Sequence, residues 1–247
     1  MIVFIISWAG QHENARAIAD ALRKVADEVA IVYSDPDPEL TFDVPCKLIR
    51  RPNELFWEDK FKACLDSTGS DGMLVIHADC SCDDWEFLLK RCVDAKKQNA
   101  DIGVWAPNIE GTYYELRASR IFNIKGTDLA LCAIIDAIIF YISPEIVDRM
   151  RQIKYGNNKF GWGIGSLFCA NSYAQNKFVV IDQKVKVFHP RSKRGYDSAE
   201  ARRQKKIFLN QYSISEMIQY QLLSTHVHFK HLKAAIEKNP LESSKPV

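Results

Sequence analysis

Residues 74–85 read LVIHADCSCDDW. Leu74, Val75 and Ile76 arrive as a buried strand, and His77, Asp79, Asp83 and Asp84 then crowd together with two cysteines. A hydrophobic strand that stops on acids is either entering a helix through a cap or delivering a carboxylate to a metal ion and a phosphate. Asp83 and Asp84 satisfy the first reading: they open the helical stretch DDWEFLLKRCVDAKKQ, where carboxylates suit the positive N-terminal end, with Asp83 as the cap. Asp79 lies where no cap is yet needed, so it carries the second reading.

Outward from this stretch, strand-like and helix-like patterns alternate, which predicts an α/β sheet with helices on its faces. IVFIIS (2–7) is a buried strand, QHENARAIADALRKVADE (11–28) a crossover helix and VAIVYSD (29–35) a second strand. CKLIRR (46–51) is a short third strand, residues 54–66 are helical, and DIGVWAP (101–107) is a strand beyond the acidic helix. The second half is less regular. LALCAIIDAIIFYIS (129–143) is strand-rich, SPEIVDRMRQI places Pro144 at a helix start, and KFGWGIGSLFCANSYAQ is a Gly-rich turn into a helix. KFVVIDQKVKVFHP reads as a hairpin-like pair of strands, and the basic stretch RSKRGYDSAEARRQKK leads into a helical segment, 211–238. Residues 1–210 therefore read as one domain and 211–247 as a helical C-terminal extension.

The 247 residues are 47% hydrophobic, enough for a sizeable core. Thirty-three Lys and Arg against 31 Asp and Glu leave almost no net charge, which argues against a nucleic-acid partner. No apolar run is long enough to span a bilayer, and MIVFII (1–6) lacks the basic flank and cleavage site of a signal peptide. Seven cysteines with no CxxC pair fit neither a disulfide framework nor a four-ligand zinc site. Reduced thiols in the cytoplasm are the simpler expectation.

Ligands of open α/β sheets bind beyond the carboxyl ends of the strands. Three strands here end on polar groups: Ser7 with Trp8, Asp35, and Asp79. If those strands are parallel neighbours, the groups converge on a crevice suited to a nucleoside. Trp8 would lie near the base, Asp35 would accept hydrogen bonds from ribose or base, and Asp79 would hold a divalent cation against a diphosphate, because hard cations favour oxygen ligands. His189 is a second metal candidate, since it ends VKVFHP and precedes a proline and a basic loop.

The order of these elements resembles the GT-A class of nucleotide-sugar glycosyltransferases. IIDAIIFYISPEIVDRM, FGWGIGSLFCANSYAQ and VKVFHPRSKRGYDSAEARRQ are together similar to family-2-type bacterial and viral sugar transferases, over residues 1–205. The resemblance implies a Rossmann-like, mixed but mainly parallel sheet flanked by helices. It also implies a metal-dependent transfer of sugar from a nucleotide-sugar donor, UDP-glucose being the commonest choice, to a glycan acceptor, in the host cytoplasm if the protein is viral. Mn²⁺ or Mg²⁺ would be held by Asp79 and His189. The acidic motif of the class reads His77-Ala78-Asp79, so only its last acid is present. Lys60, in the helix before the metal strand, would contact the donor, Arg191, Lys193 or Arg194 would close over the phosphates, and Trp162 would stack on a sugar face. Related sequences carry a turn resembling GWGID, whose aspartate is the general base of an inverting transfer; this chain has GWGIG, with Gly165 at that place. Asp136, flanked by apolar residues, is then the best remaining base, and whether configuration is inverted or retained stays open. Two other readings stand beside this one. A nucleotidyltransferase would show a Gly-rich basic loop after the first strand, where SWAGQHENAR has one glycine. A non-catalytic nucleotide-sugar or glycan-binding module would explain both His77 and Gly165.

Overall fold

The structure, a computed structural model, describes residues 1–190 and 196–238. Its strands are β1 (Ile2–Ser7), β2 (Glu28–Tyr33), β3 (Lys47–Arg50), β4 (Met73–His77), β5 (Ile102–Glu110), β6 (Arg120–Asn123), β7 (Leu129–Cys132), β8 (Ile139–Ile142) and β9 (Phe178–Phe188). Its helices are α1 (His12–Leu22), α2 (Trp57–Ser67), α3 (Trp85–Gln98), α4 (Leu116–Ser119), α5 (Pro144–Arg151), α6 (Ile164–Ala174), α7 (Ser198–Phe208) and α8 (Ile214–Lys238). The strands form a single sheet in the order β3-β2-β1-β4-β8-β5-β9-β7-β6. Pairing is parallel from β3 to β4 and between β5 and β9; β8 is antiparallel to both β4 and β5.

Side chains of a strand alternate between faces, so an all-apolar strand serves two cores. Ile2, Phe4 and Ile6 of β1 point into a core with Trp57, Phe61, Phe140 and Phe168, on the side of α2, α5, α6 and α8. Val3 and Ile5 point the other way, onto Ile18, Leu22, Leu88 and Cys92 of α1 and α3. This sheet of mixed direction, covered on both faces, is the α/β architecture that the alternating pattern implies.

Four local readings are corrected. The crossover helix ends at Leu22, because Glu28 must pair with Ile2 and the chain needs residues 23–27 to turn back. KFVVIDQKVKVF is one strand, not a hairpin: it pairs with β5 throughout, with a bulge where Pro107 faces Asp182 and Asn108 faces Lys186. Asp182, fully buried, is clamped there by Arg91 at 2.7 and 3.0 Å. The basic stretch after residue 197 is itself a helix, α7, capped by Asp197. The cap of α3 is Asp84, which accepts from Phe87 N–H at 2.8 Å, and not Asp83.

The segment after residue 211 packs on α6 and α4. Its anchor is Glu216, almost fully buried, which accepts from Arg149 at 2.7 and 2.8 Å and from Asn171 at 2.8 Å.

Candidate active site

β2, β1 and β4 are parallel neighbours, so their carboxyl ends share one edge of the sheet. A cleft of about 1200 Å³ opens along it, bounded by Trp8, Trp57, His77, Asp136, Trp162, His189 and Tyr196. β4 and β9 are not adjacent in the sheet, yet they deliver neighbouring groups. Beyond both strands, Ser81 and Phe188 exchange two backbone hydrogen bonds, at 2.9 and 3.0 Å. This bridge draws the ends together and sets His189 Nε2 at 3.3 Å from Asp79 Oδ2, each side chain about a fifth exposed (22% and 21%). Burial works to raise the Asp79 pKa, but the hydrogen bond from His189 and the charges of His77 and His189 outweigh it, and the carboxyl titrates below its ordinary value. Asn14 of α1 holds the same loop by donating to the carbonyls of Ala78 and Cys80.

A carboxylate and an imidazole are a donor pair that Mn²⁺ would accept, the oxygen being a hard donor and the nitrogen a borderline one. A carboxylate oxygen and an imidazole nitrogen lie at the spacing of adjacent ligands around Mg²⁺, about 3 Å for bonds of about 2.1 Å. Among the described residues no cluster of three or more His, Cys, Asp or Glu side chains is placed to hold a metal. Two protein ligands suit a site whose remaining positions are taken by substrate phosphates and water.

His77, where the acidic motif has its first acid, plays a structural part. It is 9% exposed and its Nε2 accepts from the Trp57 indole N–H at 2.5 Å, with Trp8 edge-on at 5.6 Å. Burial pushes its pKa down to about 4, so the ring is neutral at pH 7 and charged only in the acid range where Asp79 titrates. Lys60 is fully buried behind Trp8, its Nζ 4.9 Å from the ring centroid and 3.5 Å from the Leu55 carbonyl. Burial lowers its pKa to about 8.

Ser7 and Asp35 are joined by a residue that the sequence reading passed over. His12 Nδ1 lies 2.7 Å from Ser7 Oγ and its Nε2 3.0 Å from Asp35 Oδ2, with Phe42 stacked on the ring at 5.1 Å. Asp35 also accepts from Asp37 N–H at 2.9 Å, the main reason its pKa is lowered. Neither Ser7 nor Asp35 lines the cleft wall. The available signal was position: His12 is the first residue of α1, directly after the strand end that carries Ser7.

Asp136 sits between β7 and β8 in the cleft wall and accepts from Tyr114 N–H at 2.8 Å and from Thr112. Burial raises its pKa above the ordinary carboxylate value. Gly165, in the first turn of α6, faces the same loop: a Cβ there would stand 3.2 Å from Ala137 Cβ and 3.5 Å from the Ile135 carbonyl. Trp162 lies between Gly161 (φ +73°) and Gly163 (φ +95°) and donates its indole N–H to Tyr196 Oη at 3.0 Å. Tyr196 stacks on Phe160 at 4.5 Å. Arg202 and Lys205 of α7 also line the cleft and were not anticipated, because α7 was not read as a helix. Arg191, Lys193 and Arg194 lie outside the described residues.

No protein-family model matches this chain, and no curated protein matches it. Solved structures do. GalNAc-T7, crystallised with UDP, GalNAc and Mn²⁺, superposes with a TM-score of 0.63 at 10% identity, over 87% of this chain and 48% of its own. This chain thus spans about half the length of that one. UDP-glucose pyrophosphorylase, in complex with UDP-glucose, superposes with a TM-score of 0.50 at 12% identity, over 85% of this chain and 99% of its own. At such identities the likeness shows the fold, which is GT-A, a Rossmann-like sheet of mixed direction flanked by helices.

Proposed function

We propose that the chain is a metal-dependent glycosyltransferase that moves a sugar from a nucleotide-sugar donor, a UDP-sugar such as UDP-glucose, to a hydroxyl of a glycan acceptor. The observation that carries this reading is the meeting of Asp79 and His189 at 3.3 Å beside a cleft whose wall holds Asp136. Asp79 and His189 hold Mn²⁺ or Mg²⁺, which when bound supplies charge neutralisation for a diphosphate leaving group. Trp8 lies against the nucleoside, with Lys60 behind it and Asp35 held for ribose or base by His12. On the acceptor side, Trp162 offers a ring face to a sugar, and Asp136 takes the proton of the attacking hydroxyl, a task suited to its raised proton affinity.

The likeness to a pyrophosphorylase over nearly all of that protein's length favours a nucleotidyltransferase as second reading. Incubation with UDP-glucose and Mn²⁺ separates the two. Release of UDP, by water or acceptor, supports the transferase. Formation of UTP and glucose 1-phosphate on adding pyrophosphate supports the rival. Binding without either product leaves a binding module.

A further inference from the structure

Beyond this activity, and independent of it, the outer face of α8 has no partner among the described residues. The inner face packs Met217, Tyr220, Leu223 and Val227 against the domain, with Leu223 and Val227 buried. On the outside, Ile218, Leu222, Phe229, Leu232 and Ile236 are each 50–63% exposed. At 100° per residue these five, with Thr225, lie within about 40° of the direction opposite Val227. Their spacing is 4-3-4-3-4, the a/d repeat of a coiled coil sustained over three heptads.

We infer that this stripe is the seam of a homodimer, in which α8 packs along α8 of a second copy. Three features select that occupant. The stripe is the narrow a/d seam that a helix covers, not the wider apolar arc with a strongly cationic polar face by which a helix lies in a membrane surface. The exposed side chains present on the order of 600 Å² of apolar surface, approaching the roughly 800 Å² per partner of a standard interface and at the upper end of a monomer's largest patch. The flanking positions are Gln219, Gln221, His226, His228, Lys233 and Glu237, and Lys233 pairs with Glu237 at 3.9 Å, so the border of the seam carries no net permanent charge. Nothing in that set opposes a second copy of itself.

Sedimentation velocity and light scattering on the full chain at micromolar concentration test the inference. The wild type is expected at twice the monomer mass, and the Leu222→Glu, Phe229→Glu double variant at the monomer mass with an unchanged circular-dichroism spectrum. If the charges prevent folding, the milder Leu222→Ala, Phe229→Ala variant is expected to weaken association by roughly tenfold or more. A monomeric wild type overturns the inference. So does a dimer that both variants leave intact, and so does a monomer that co-sediments with phosphatidylcholine–phosphatidylglycerol vesicles through these residues.

Discussion

If Asp136 is the base of the proposed transfer, replacing it with Asn should slow that transfer and stabilise the protein, and the two effects share one cause. The carboxyl is buried in the cleft wall, which raises its pKa. A carboxyl whose folded pKa is raised binds its proton more tightly in the folded state than in the unfolded chain. Its contribution to stability is therefore fully present below the unfolded value, near 3.8, and is lost as pH rises through the folded value. At neutral pH the ionised group destabilises the fold. Asn keeps an oxygen to accept from Tyr114 N–H, now at 2.8 Å, and carries no charge. Urea denaturation should then show Asp136→Asn more stable than wild type at pH 7.5, with the difference vanishing near pH 4. Without the base, kcat should fall roughly 10²–10⁴-fold while the affinity for UDP is unchanged. In the wild type, activity should be lost on acidification through a pKa above the ordinary carboxylate range. A kcat within a few-fold of wild type would refute the role as base. Equal destabilisation at both pH values would make Asp136 a structural acid whose hydrogen bonds, not its charge, matter.

Other outcomes follow from the same geometry. Asp79→Asn should weaken Mn²⁺-dependent UDP binding by roughly 10–100-fold in titration calorimetry, with little change in Tm; undiminished binding would remove the metal assignment. Arg149→Ala strands the buried Glu216 carboxylate, whose pKa the guanidinium holds down against the opposing effect of burial. It should lower urea stability by about 3–5 kcal/mol at pH 7. A loss no greater than that of an exposed ion pair would show that water reaches the site. Gly161→Ala adds a Cβ that overlaps the Trp57 ring at φ +73°, whereas Gly10→Ala, at φ +83°, meets nothing within 4 Å. Both pay backbone strain of about 1–2 kcal/mol, so a Tm drop clearly larger at 161 isolates the clash; equal drops would mean that Trp57 yields.

Much of the fold was legible because buried parallel strands are written as apolar runs, and IVFIIS, VAIVYS and MLVIH stand out between polar turns. The bulge in β9 was not, because alternation within KFVVIDQKVKVF suits a hairpin as well as a bent strand. Arg91, 91 residues away on α3, holds Asp182 at the bend. Of the candidate site, only the strand-end positions were legible in the same way. Ser7, Trp8, Asp35 and Asp79 end hydrophobic strands, and that position is visible in a linear chain. His12 is not visible as their connector, since its bonds to Ser7 and Asp35 depend on how α1 returns over the sheet.

By itself, then, the sequence determined the alternation of strands and helices, the two-faced core and the placing of carboxylates at strand ends, all of which follow from local periodicity. Only the tertiary structure decided which of those ends meet. The Ser81–Phe188 bridge brings Asp79 to His189 across two intervening strands, and the packing of α6 sets Gly165 against the loop of Asp136. Both depend on strand order and on contacts distant in the chain, which no local pattern encodes.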